Sequence, residues 1–298
     1  MEIGRLLTAM VTPFDEEGQV DYQQAQRLAL ALLDSGSDGV VIAGTTGEAP
    51  TLSHEEKLKL FAEVKRAVDG RGVVIAGTGT YNTAESVQFT REAATAGVDG
   101  ILLTVPYYSK PTQEGLYRHF EAIAQGVGLP CILYNIPGRT GVNMTAETTL
   151  RLSRIPNIVG IKEASGDLSQ IARIIAEAGD GFRLWSGDDQ MTLPILSVGG
   201  HGVICVVSHL VGAQVREMMD EYLAGRVAEA ASIHRGLLPL MTTLMTAASN
   251  PIPIKHALNG IGFRAGPPRL PLVEPDQATG ERIMAEVRRH RIDLAVAV

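Results

Sequence analysis

The chain has 298 residues, 45% hydrophobic and 20% charged, the make-up of an ordinary globular protein long enough to bury a large core. Its net charge of -7, with no run of Lys or Arg, argues against a nucleic-acid partner, which would call for a basic face. The two cysteines, Cys131 and Cys205, sit in apolar runs, which excludes a disulfide scaffold and leaves no metal-type Cys/His spacing; both are expected to be buried thiols. The opening MEIGRLLTAMVTPF lacks the long apolar stretch of a signal peptide or a membrane span, so no membrane partner is expected and the cytoplasm is the expected location.

Short runs rich in Val, Ile and Leu recur at 6–11, 39–43, 73–76, 100–105, 131–135, 158–162, 183–186 and 202–206. Most do not alternate, as expected of strands covered on both faces. Amphipathic stretches lie between them at 22–33, 55–68, 83–96, 114–125 and 168–178. Ser53 with Glu56 spells a capping box, and Thr83 stands where a cap would precede Glu85 and Ser86. This alternation predicts an α/β chain with a parallel sheet, and the count of units matches a closed (β/α)8 TIM barrel. A doubly wound open sheet is the alternative, but its G-x-G-x-x-G turn is missing, since the first run leads into TPFDEEG. Stretches 214–223, 227–246 and 253–258 read as helices beyond the last strand. The expected organisation is a barrel over 1–224 and a C-terminal helical extension over 225–298.

A barrel carries its chemistry at the C-terminal ends of its strands. The sixth strand ends in Lys162. A lysine stem packed at a barrel mouth is partly desolvated, which lowers the pKa of the amine and lets it attack a ketone. Schiff-base chemistry and a phosphate-binding or ion-pair role both remain open for it on position alone. The second strand runs into Gly44-Thr45-Thr46-Gly47-Glu48, where close backbone approach and two hydroxyls could seat a carboxylate; a tight turn with Thr45 or Thr46 as a helix cap is the plainer reading. Tyr134 ends the fifth strand and reads as a proton-transfer group or as an ordinary rim tyrosine. Arg139, after a Pro-Gly turn, can clamp a carboxylate with its fork or stand solvated. The adjacent Asp188 and Asp189 suggest a metal only weakly, because neighbouring aspartates splay apart and no matching ligands accompany them; no metal and no cofactor are expected.

Several motifs then occur in one order: GTTGE at 44–48, PYY at 106–108, YNIPGRTG at 134–141, GIKE at 160–163, SGDD at 186–189 and NPIP at 250–253. Together they resemble the dihydrodipicolinate synthase / N-acetylneuraminate lyase family over nearly the whole chain. The resemblance is strongest to the synthase branch, which joins pyruvate to L-aspartate 4-semialdehyde at the start of the lysine/diaminopimelate branch. It implies that Lys162 forms the pyruvate imine and that Thr46 holds the pyruvate carboxylate. It also implies a proton relay through Thr45, Tyr134 and Tyr108, with Tyr108 supplied by a neighbouring subunit. Arg139 would bind the carboxylate of the semialdehyde, and Gly187 and Ile204 would offer backbone groups beside the substrate. The self-association implied is a homotetramer built as a dimer of dimers.

Arg139 separates the branches, since the sugar-acid lyases of this family carry a smaller or apolar residue there. An aldolase acting on a 2-keto-3-deoxy sugar acid or N-acetylneuraminate is the alternative. A non-catalytic keto-acid-binding protein is a further one, opposed by the joint presence of Lys162, Tyr134, Thr45 and Tyr108. Some relatives are inhibited by lysine at a pocket matching Ala49, Pro50, His54, Lys57, Tyr81, Glu85 and Tyr107. Lys57 and Tyr81 depart from the sensitive pattern of histidine and asparagine, so lysine inhibition is expected to be weak or absent.

Overall fold

The structure, a computed structural model, describes residues 3–296. Eight strands form one ring: β1 (Leu6–Ala9), β2 (Gly39–Ile42), β3 (Val73–Gly77), β4 (Gly100–Thr104), β5 (Cys131–Asn135), β6 (Ile158–Glu163), β7 (Arg183–Ser186) and β8 (Gly202–Cys205). Neighbours pair in parallel and in chain order, and β8 closes on β1 through Leu7↔Ile204. The predicted TIM barrel is therefore the fold. Both faces of the strands are covered, one by the barrel interior and one by helices, which is why the runs are continuously apolar. Glycine is required where strands crowd: a Cβ on Gly202 would lie 2.0 Å from the Arg5 carbonyl oxygen, and one on Gly160 2.2 Å from that of Arg183.

The ends differ from the predicted ones by a residue or two. β1, β2, β4 and β8 stop early at the mouth, where the chain must turn out of the sheet; Ala43, just past β2, takes φ 49°. β3 and β6 run one residue further, to Gly77 and Glu163.

The helices are α1 (Tyr22–Asp34), α2 (His54–Val68), α3 (Thr83–Thr95), α4 (Gln113–Gln125), α5 (Pro137–Thr140), α6 (Ala146–Leu152), α7 (Leu168–Glu177), α8 (Thr192–Ser197), α9 (Ser208–Leu223), α10 (Val227–Thr246), α11 (Ile252–Gly260) and α12 (Gln277–Val287). Ser53 and Glu56 form both halves of the capping box that starts α2. Asn82, rather than Thr83, caps α3: its side chain accepts from the Glu85 amide, while the Thr83 hydroxyl turns to His119. Four helices were not expected: α5, α6 and α8 are one or two turns long, too short to show a helical period in sequence, and α12 lies beyond the last stretch read as helical. α9 begins six residues before the predicted 214, because Val211 (φ -132°, ψ 40°) breaks its regularity and with it the apolar pattern.

The C-terminal helices reach back to the barrel mouth. α10 lies along α9, and α11 carries Lys255 beneath the loop that follows β2. Lys255 Nζ donates to Glu48 Oε1 at 2.8 Å, with side chains 1% and 0% exposed, and also to the carbonyls of Thr12 and Pro267. The other Glu48 oxygen accepts from the Arg269 amide at 2.9 Å. These contacts hold Glu48 at φ 56°, a left-handed conformation that costs a non-glycine residue energy. Lys255→Met would leave Glu48 a buried carboxylate without its cation. It is expected to lose about 3–5 kcal/mol of unfolding free energy in a urea titration, with partial recovery in the Glu48→Gln/Lys255→Met double variant. An unshifted midpoint in the single variant would refute this role for the pair.

Candidate active site

Lys162 lies on β6 between Tyr134 of β5 and Trp185 of β7. It is 5% exposed, and its Nζ sits 4.3 Å from the centre of the Tyr134 ring. Burial pushes the amine down to about 8; the Arg139 guanidinium acts in the same direction, and the Asp189 carboxylate pulls the other way. At pH 7 about one in ten such amines is neutral, against about one in three thousand for an ordinary lysine. Gly187 keeps the stem in place by absence: a Cβ there would meet Lys162 Cγ at 3.1 Å and Ala164 Cβ at 2.9 Å. Burial raises the Tyr134 phenol above its usual range, so it stays protonated and can hand on a proton.

Two buried carboxylates, at the end of β6 and after β7, accept hydrogen bonds from local donors. Glu163 accepts from Asn135 Nδ2 at 3.1 Å and from the Ser165 amide at 2.7 Å. Asp189 accepts from the amides of Val206 and Val207, tying the end of β7 to the end of β8. Asp188 turns away and caps the next turn through Gln190, so the pair splays. Among the described residues no cluster of three or more His, Cys, Asp or Glu side chains is placed to hold a metal ion. Cys131 and Cys205 are buried thiols.

The loop after β2 is a tight turn, closed by Glu48 N to Thr45 O at 3.1 Å. Neither threonine caps a helix, since Glu48 occupies the cap position of the 3-10 turn that follows. Thr45 and Arg139 line one mouth cavity of about 640 Å3, while Lys162 lies outside its lining. Arg139 sits on α5, the single turn that the Pro-Gly sequence forms. Thr46 is buried beside Asn250, whose Nδ2 donates to Thr46 Oγ1 at 3.0 Å. The Asn250 carbonyl accepts from Arg139 Nη2 at 3.4 Å. In the sequence Asn250 stands within NPIP with no role of its own, an amide before a proline being the only local signal, and Asp189 reads only as a weak metal ligand.

The other predicted residues fall in two places. Ile204 is buried on β8, between the end of β7 and β1. Tyr108 is not brought to the site: it is 90% exposed on the loop after β4, at φ 69°. Its neighbour Tyr107 lines the mouth cavity and meets Tyr81 edge-on at 5.1 Å. Every position expected to match the lysine pocket lines that same cavity. Burial lowers the Lys57 amine, whose Nζ stands 5.5 Å from the Phe89 ring centre.

Residues 2–290 match the Dihydrodipicolinate synthetase family. The chain belongs to that family. It is 56% identical over 295 residues to a 4-hydroxy-tetrahydrodipicolinate synthase of Dehalococcoides mccartyi, covering 99% of each chain. It is 59% identical over 281 residues to one of Symbiobacterium thermophilum, covering 94% of this chain and 95% of the other. Among solved structures, a dihydrodipicolinate synthase from Bacillus anthracis superposes with a TM-score of 0.95 at 42% identity, covering 97% and 98% of the chains. One from Cyanidioschyzon merolae, with lysine bound, superposes with a TM-score of 0.95 at 46% identity, covering 96% and 98%.

In this Dihydrodipicolinate synthetase family member, competitive labelling with acetic anhydride should titrate Lys162 with a midpoint of about 8, while solvated lysines titrate near 10.5. A Lys162 midpoint near the solvated value would mean that burial does not set its reactivity.

Proposed function

We propose that the chain is a lyase that condenses pyruvate with L-aspartate 4-semialdehyde to 4-hydroxy-tetrahydrodipicolinate, opening the lysine/diaminopimelate branch. The observation that carries this reading is the desolvated amine of Lys162 beside Tyr134 at the end of β6. The identity of the substrates rests on the shared name of relatives more than half identical over nearly all of the chain.

The neutral amine attacks the keto carbon, and loss of water gives a protonated imine. Removal of a methyl proton then gives an enamine, with the imine nitrogen taking the electron pair. The enamine carbon attacks the aldehyde, and the second substrate's amino group displaces Lys162 as the ring closes. Each stage moves protons, which we assign to the hydroxyls of Tyr134, Thr45 and Tyr108. Thr46 holds the pyruvate carboxylate, Arg139 the semialdehyde carboxylate, and Gly187 and Ile204 flank the bound substrate with backbone groups. Borohydride reduction with pyruvate should add one reduced adduct at Lys162, read by peptide mass. Arg139→Ala should keep that adduct and lose about a hundredfold in kcat/KM for the semialdehyde, as expected for a lost charge-assisted pair. No adduct at Lys162 would sink the proposal. Turnover of N-acetylneuraminate in place of the semialdehyde would favour the aldolase alternative. Excess lysine added to the same assay should inhibit weakly or not at all, because Lys57 repels a cationic ligand.

Tyr108 projects from its own chain, and we assign it to the site of a neighbouring copy within a tetramer built as a dimer of dimers. We place the boundary between barrel and extension at 224/225. Lys162→Ala and Tyr108→Phe, each impaired alone, should regain activity when their subunits are exchanged, since one mixed site then holds both native residues. Verified subunit exchange without recovery would overturn the assignment.

A further inference from the structure

We propose that Asn250 is a positioning residue that aims the Thr46 hydroxyl proton at the keto-acid carboxylate and links that seat to Arg139. This rests on the assignment of Thr46 to the carboxylate. A threonine hydroxyl has one proton to give and can also accept. Asn250 Nδ2 donates to Thr46 Oγ1 at 3.0 Å, in a place where Thr46 is 4% and Asn250 9% exposed. With its oxygen occupied as an acceptor from that side, the hydroxyl keeps its proton free to donate elsewhere. An anion needs such a donor, and in a dry site one extra donor weighs heavily.

A second observation separates this from ordinary packing. Asn250 Oδ1 is buried and has no hydrogen-bond partner. An amide used only to satisfy the protein would not leave its stronger acceptor idle, since an unmet buried acceptor is costly. The amide turns its donor toward Thr46 and leaves Oδ1 without a protein partner. The same residue's main-chain oxygen meets Arg139 Nη2 at 3.4 Å, so one residue touches both side chains assigned to carboxylates. Its place is set from the extension: Asn250 precedes Pro251, the cap residue of α11, and Lys255 on that helix grips Glu48 of the same loop that carries Thr46.

The test compares Asn250→Ala, Asn250→Asp and Thr46→Val by steady-state kinetics and borohydride trapping, with thermal unfolding of each. Asn250→Ala removes the donor and should raise the pyruvate KM about tenfold. Asn250→Asp nearly preserves volume but accepts the Thr46 proton and sets a negative charge beside an anion. It should therefore be worse than Ala, by about a further tenfold. A packing role predicts the opposite order, because Ala leaves a cavity and Asp fills it. In the Thr46→Val background the part of the Asp penalty that comes from taking the Thr46 proton should disappear, so the penalty should shrink to its charge part. If the Ala variant does not fold, the Asp penalty with and without the Thr46 hydroxyl decides the question. Ala worse than Asp, or an Asp penalty undiminished in the Thr46→Val/Asn250→Asp double variant, overturns the role of Asn250 alone. A Thr46→Val variant with an unchanged pyruvate KM overturns the carboxylate seat, and this proposal with it.

Discussion

The role proposed for Lys162 depends on withholding water from its amine, and closure of the strand ring is what does so. A lysine at the end of an open sheet's edge strand would swing into solvent and stay charged. In the closed barrel Lys162 has Tyr134 on one side and Trp185 on the other. Its stem occupies the space that Gly187 leaves empty. Desolvation therefore acts on it from several strands at once, which is why its amine is pushed down to about 8.

The same closure brings the Asp189 carboxylate near that amine, where it opposes the effect. Asp189 and the neighbouring Glu163 are hydrogen-bonded, one by the Val206 and Val207 amides, the other by Asn135 and the Ser165 amide. Their hydrogen-bonding capacity is spent on fixing the ends of β5 to β8. They brace the mouth while the burial of Lys162 remains the larger influence on its amine.

The C-terminal helices do more than cover the barrel. Through Lys255–Glu48 and, from the segment between α10 and α11, Asn250–Thr46, this part of the chain grips the middle and the end of a loop of only a few residues. A loop that must hold a left-handed Glu48 would not keep one geometry unaided. The extension thus couples the stability of the fold to the precision of the mouth, and it places a polar residue between Thr46 and Arg139.

Much of this was legible in the residues themselves. Continuous apolar runs, several of them ending in polar residues such as Asn135, Lys162 and Ser186, specify parallel strands, because only a strand covered on both faces tolerates such a run. Lys162, Tyr134, Thr45, Thr46 and Arg139 could be named from their places at or after those runs, and Gly187 only from the motif it shares with the family. Strand ends were less legible, since a turn such as that at Ala43 depends on what the chain meets next. Asn250 and Asp189 were missed as site components because their partners lie on distant segments, and no local pattern encodes a long-range hydrogen bond. Tyr108 was singled out in sequence only through its motif, and within its own chain the fold leaves it facing solvent. The sequence by itself determined the order of strands and helices and the identities of the groups at the mouth, because periodicity and residue chemistry are local properties. Only the tertiary structure decided which of those groups lose water and which meet, because burial and distance arise from the closing of the ring.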